Sequence, residues 1–163
     1  MVLGMSLATF TAIHVIISLI GIGTGFIVLY GLFKNKLLTT WNGIFLLTTV
    51  LTSLTGFAFP NTKITPAIVF GILSMIALAI ALFALYARHL NGGWRRTYAI
   101  TAMIAQYLNC FVLIAQLFGK VPALHALAPT GTEGPFKISQ LLLLILFIYL
   151  IATAAKRFRT LTT

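Results

Sequence analysis

Residues 97–118, TYAITAMIAQYLNCFVLIAQLF, form an apolar run long enough to cross a bilayer, yet the run carries three amide side chains, Gln106, Asn109 and Gln116. At about 100° per residue, Ala102, Gln106, Asn109, Leu113 and Gln116 fall on one stripe of a helix, while Ile100, Ile104, Leu108 and Phe111 lie largely elsewhere. An amide without a partner in hydrocarbon costs several kcal/mol. The stripe is therefore predicted to face protein or a wet cavity, with the other segments packed around it.

The whole chain supports a membrane setting. Of its 163 residues 60% are hydrophobic and 7% charged, with a mean hydropathy of +1.08, whereas soluble domains carry roughly a quarter charged residues. The formal net charge of +10 comes from short basic clusters between apolar segments, with no continuous basic face. The expected partner is thus the lipid bilayer and not nucleic acid. The single cysteine, Cys110, excludes an intrachain disulfide framework and a multi-cysteine zinc site. Residues 1–10 hold no Lys or Arg, and the apolar run after them is too long for a signal-peptide core, so the start is expected to be retained.

Working outward, four further apolar segments appear, and the five together predict a single all-α transmembrane domain over 1–163, with helices at about 11–33, 41–59, 67–88, 97–118 and 138–156. The first places His14, Ser18, Gly21 and Gly25 on one stripe, where the Gly-x-x-x-Gly pair allows close approach of another helix. In the second, Thr48, Thr52 and Thr55 form one stripe and Thr49, Ser53 and Gly56 the next; Trp41 suits an interfacial anchor. The third presents Gly71, Ser74, Ala77, Ala81 and Ala84 as a small-residue packing face. The fifth, rich in Leu and Ile, reads as the most lipid-exposed. Between the fourth and fifth lies an outer loop, 119–137, with Pro122, Pro129, Pro135, His125 and the one acidic residue, Glu133.

Basic residues set the orientation. Lys34, Lys36, Arg88, Arg95, Arg96, Lys156, Arg157 and Arg159 fall on one side, and Lys63, Lys120 and Lys137 on the other. The positive-inside rule puts the eight in the cytoplasm, the N-terminus and the Glu133 loop outside, and the C-terminus inside. A multi-pass protein of the cell inner (cytoplasmic) membrane follows, with anionic lipid headgroups as partners of its cytoplasmic side. Leu29-Tyr30 and Leu85-Tyr86, each before a basic turn and a tryptophan, faintly repeat one hairpin as the next.

The runs LTTVLTSLTGFAFP, YLNCFVLIAQLF and VPALHALAPTGTEGPF resemble a widespread bacterial family of small, uncharacterised multi-spanning membrane proteins. The resemblance covers most of the chain and implies no activity. Gly131 and Gly134 stand where that family has other residues, a proline among them, which implies a looser loop here.

Few residues suit catalysis. One acid cannot form a carboxylate pair, and no Gly-x-Ser-x-Gly elbow, phosphate loop or His-Glu-x-x-His pattern is present, so the sequence points away from an enzyme and calls for no cofactor. The leading expectation is a binding or transport module for a small neutral or lipid-like molecule, held by Gln106, Asn109, Gln116, His14, Thr52 and Thr55, with the Tyr107 hydroxyl nearby. A second is a passive accessory subunit, alone as a homo-oligomer or docked to other membrane subunits through its small-residue faces. The third joins His14, His125 and Glu133 as outer-side ligands for zinc, iron, copper or haem, although a histidine near a helix end is more often a hydrogen-bonded interfacial residue.

Overall fold

The computed structural model describes residues 2, 4–60 and 65–159. Its helices are α1 (Leu7–Phe33), α2 (Thr39–Phe57), α3 (Pro66–Leu82), α4 (Trp94–Lys120), α5 (Pro122–Leu127) and α6 (Gly134–Arg157). Among the described residues the one pairing of β type is an isolated bridge between Val2 and Met5.

The long helices begin ahead of the predicted boundaries, at Leu7 instead of 11 and at Gly134 instead of 138, because a first turn tolerates polar residues and proline that the apolar run omits. Ser6 caps α1 by accepting from the Thr9 N–H at 3.1 Å, and Thr65 caps α3 with Pro66 in its first turn. The third segment is not one uniform helix. Its last turn, Phe83–Ala87, is a π-turn in which Arg88 N–H donates to the Phe83 carbonyl at 3.0 Å, and the added residue swings Leu90 back into the core.

Among the described residues four helical stretches are long and apolar enough to cross a membrane: Leu7–Phe33, Pro66–Ala87, Trp94–Lys120 and Gly134–Arg157. The predicted count of five differs from this at α2, whose 19 residues include Asn42, Ser53 and six threonines that dilute its apolar run. The outer loop is shorter than predicted, since α4 runs on to Lys120 and α5 occupies its middle.

Neighbours in sequence are neighbours in space: α1 lies on α2, α2 on α3 and α3 on α4, while α4 also meets α1 and α6. The basic turns gather at one end, where Arg95 Nη2 donates to Asn35 Oδ1 at 3.0 Å and the guanidinium carbon lies 4.1 Å from the Phe158 ring centroid. At this basic end the packing is tight. Leu32 and Val28 of α1, Phe45 of α2, Ala81 and Leu78 of α3, and Tyr98, Ala99 and Met103 of α4 form one buried cluster in which alanines on one helix receive large side chains from the next. The fourth segment is the centre, as the amide stripe predicts: 56% of its apolar stretch is buried, against 22–28% in the other three. The lowest share belongs to α6.

Candidate functional site

The helices that close-pack at the basic end separate toward the other end. Between α1, α2, α3 and α4 there is a cavity of about 610 Å³. Small residues contribute to it: Thr52, Ser53 and Gly56 of α2 and Gly71 and Ser74 of α3 are in the lining, with Ser53 opposite Ser74, Gly56 facing His14 and the Phe57 ring seated on Gly71. Val15 and Leu19 of α1 and Leu117 of α4 line the cavity and are 41%, 49% and 40% exposed, as is Phe57 of α2 at 39%, so the cavity is open to the outside, its α1–α4 side included.

Two of the three stripe amides, Asn109 and Gln116, line the cavity, and the third, Gln106, packs outside its lining. Gln106 is fully buried, and its Nε2 donates to the backbone carbonyl of Ile22 at 2.8 Å. The side chain one turn beyond Ile22 would ordinarily cover that carbonyl, but residue 25 is glycine. A Cβ there would fall inside the contact radius of Gln106 Oε1 and lie 2.7 Å from Nε2. Gly21, a turn earlier, serves the other neighbour, since its Cβ would stand 3.1 Å from Thr48 Oγ1 on α2. The Gly-x-x-x-Gly pair thus admits two different helices. Asn109, next along the stripe, donates from Nδ2 to Thr49 Oγ1 at 3.4 Å and lines the cavity. Its hydroxyl partner therefore comes from the Thr49 stripe of α2 and not from Thr48, Thr52 and Thr55.

Higher in the cavity stands His14. Its Nδ1 is 2.7 Å from Thr55 Oγ1, and that hydroxyl is itself 2.7 Å from the Leu51 carbonyl. A hydroxyl has one proton, so both contacts are hydrogen bonds when Thr55 donates to Leu51 and His14 Nδ1–H donates to Thr55. The neutral imidazole then keeps Nε2 as an acceptor. Phe59 meets the imidazole edge-on, with centroids 5.1 Å apart. Most hydroxyls nearby are spent on their own helix, as Ser18 is on the His14 carbonyl at 2.7 Å. Thr52 differs. Its buried Oγ1 has no protein partner.

Of the residues singled out in the sequence, His14, Thr52, Asn109 and Gln116 line the cavity and Thr55 acts on it through His14, whereas Gln106 lies outside the lining, spent on packing α4 against the Ile22 carbonyl of α1. Tyr107 lies apart, packed between Phe111 and the Phe147 ring of α6. Ser53 and Ser74, 3.4 Å apart at the deep end, and Lys120 at the mouth also belong to the site. Their signal in the sequence was the hydroxyl stripe beside the threonines and the small-residue face of α3, both of which read equally well as packing.

The outer residues proposed as metal ligands do not converge: among the described residues no group of three His, Cys, Asp or Glu could hold a metal ion. His14 is engaged in the cavity, His125 lines a separate hollow of about 230 Å³, and Glu133 turns back on its own loop. There its Oε1 accepts from the Thr130 hydroxyl at 2.8 Å and the Thr130 N–H at 3.1 Å, and its Oε2 from the Thr132 N–H at 3.0 Å. Gly131, inside this clip, takes a φ of +70°. Desolvation works to raise the Glu133 pKa, but these hydrogen bonds outweigh it and hold the carboxyl at about 2, well below its ordinary 4.5. The clip is therefore complete above the ordinary carboxylate range and is lost as pH falls through about 2. The amide proton shifts of Thr130 and Thr132 should titrate with that low midpoint in the NMR spectrum and not move in Glu133→Gln; a midpoint near 4.5 would mean the clip does not form.

Comparison of the chain with models of known families, with characterised proteins and with solved structures yields no match.

Proposed function

We propose that this protein is a five-span integral membrane protein of the bacterial cytoplasmic membrane that binds a small neutral or lipid-like molecule in the cavity between α1 and α4. The carrying observation is the contrast between the two halves: a dry, close-packed core at the basic end, and at the other end about 610 Å³ of space lined by apolar walls and a few convergent polar groups. That volume falls within the roughly 300–1,000 Å³ of small-molecule sites, whose lining has the same mixture. A bundle that served only to dock other helices has no use for an internal void, since each missing contact lowers its stability. The filled basic half makes the cavity one-ended, which favours binding, with transport requiring a second conformation.

Five spans are supported by α2 itself. It lies along α1 from the His14–Thr55 bond at one end to the Gly31–Leu38 turn at the other, and a helix packed at the depth of spanning neighbours shares their environment. Orientation rests on the basic asymmetry, with the basic end against anionic headgroups in the cytoplasm. A cysteine replacing exposed Ala126 should be labelled from outside by an impermeant maleimide and one replacing exposed Asn91 should not, against a low background because Cys110 is buried. The reverse pattern would overturn the orientation.

The binding reading is tested by native mass spectrometry of the protein released from nanodiscs. Wild type should carry a retained small molecule, and Asn109→Leu should lose it while the fold persists, because the Asn109–Thr49 bond at 3.4 Å is long and such interhelical bonds average only about 0.6 kcal/mol. A wild-type protein that never carries a ligand would favour the passive subunit.

A further inference from the structure

We infer that the cavity takes an uncharged amphiphile with its polar end leading, an oxygen function set at the deep end and the apolar body directed out through the gap between α1 and α4. This rests on the binding reading above and adds the class and orientation of the ligand.

The deep end is where hydrogen-bonding capacity remains unspent. Thr52 Oγ1 is buried without a partner, although Thr48 and Thr55 on the same stripe bond back to the carbonyls of Ile44 and Leu51. Ser53 holds one proton between the Thr49 carbonyl at 3.0 Å and Ser74 Oγ at 3.4 Å; Ser74 accepts there and donates to no other group among the described residues, and Asn109 uses one of its two amide protons on Thr49. Thr52, Ser74 and Asn109 come from three helices and line the same cavity. Together they offer donors to an oxygen acceptor.

No cation or anion lines this deep end. The one charged residue of the lining, Lys120, sits at the far end of α4, three turns beyond Asn109. A carboxylate or ammonium carried inward would be buried without a counter-charge, at far greater cost than a hydroxyl or ketone that finds these donors. Above the deep end the walls are apolar through Leu19, Phe70 and Val112. A lipid seated in its usual sense would set its tail against the three donors and leave them unsatisfied. An alcohol or ketone that leads with its oxygen satisfies them, and its chain follows the apolar walls to hydrocarbon.

The test uses the full chain in lipid nanodiscs and three diazirine photolabels of equal length: an octanol, an octanoate and an octane. Adducts are mapped by peptide mass spectrometry. The octanol should label cavity residues of α1 and α4 saturably, with the octanoate and octane marking only exposed bundle faces without saturation. Thr52→Val combined with Ser74→Ala should reduce saturable octanol labelling about tenfold, as for loss of one or two buried hydrogen bonds. Saturable cavity labelling by octane equal to that by octanol would overturn the polar-end-first orientation and leave the binding reading standing. Equal labelling by octanoate would overturn the uncharged class. Absence of cavity labelling by all three would overturn both the inference and the binding reading. The wild-type comparison decides these outcomes even if the double variant fails to fold.

Discussion

Gly25→Leu is expected to lower the thermal stability of the protein in detergent more than any other single change on the small-residue faces. A Cβ at position 25 would overlap the Gln106 carboxamide, and the Leu branch would continue into α4. Gln106 cannot step aside cheaply: it is fully buried, its Nε2 is bonded to the Ile22 carbonyl at 2.8 Å, and its Oε1 already lacks a partner. Overpacking of this kind costs about 1–3 kcal/mol, and displacement of the amide adds the loss of its one bond. Gln106→Ala made together with Gly25→Ala should recover much of the loss caused by Gly25→Ala alone, because the two positions compete for the same space. Additive losses would show that positions 25 and 106 do not share one space.

Tyr98→Phe is the second large effect. The Tyr98 hydroxyl donates to Asn42 Oδ1, both side chains are buried, and the bond ties α2 to α4 across the core. Removal of the hydroxyl leaves the asparagine carbonyl unsatisfied in a dry site, a penalty of about 1–3 kcal/mol. Measured polar bonds between membrane helices reach about 1.7 kcal/mol at most, so the loss should fall in the lower part of that range. Asn42→Leu in the Tyr98→Phe background should restore part of it, since the orphaned group is then gone. If Tyr98→Phe melts as the wild type does, the tie across α2 and α4 carries no stability.

The amide stripe of residues 97–118 identified the central helix because hydrocarbon penalises a misplaced amide on any face, whatever its neighbours. Helix positions followed from apolar run length, and their ends shifted where Ser6, Thr65 and proline-bearing first turns extended the helix beyond the apolar run. A cavity was one of two expectations for the amide stripe, but its place between the helices and its extent were not legible. An empty space is a relation between helices, and Ser74 opposite Ser53 has the same sequence signature whether a neighbour fills the gap or not. The metal set of His14, His125 and Glu133 failed for a related reason. Topology brought these residues to one side, but Thr55 and Thr130 supplied nearer partners for two of them.

The cavity between α1, α2, α3 and α4 is proposed to hold an uncharged molecule in the native membrane. An experimental density map of the protein extracted with its own lipid into nanodiscs addresses it most directly. Elongated density beside Thr52, Ser74 and Asn109, extending toward the gap between α1 and α4, is the expected result. Helices closed upon one another with no space between them, or a cavity holding water alone, would contradict it.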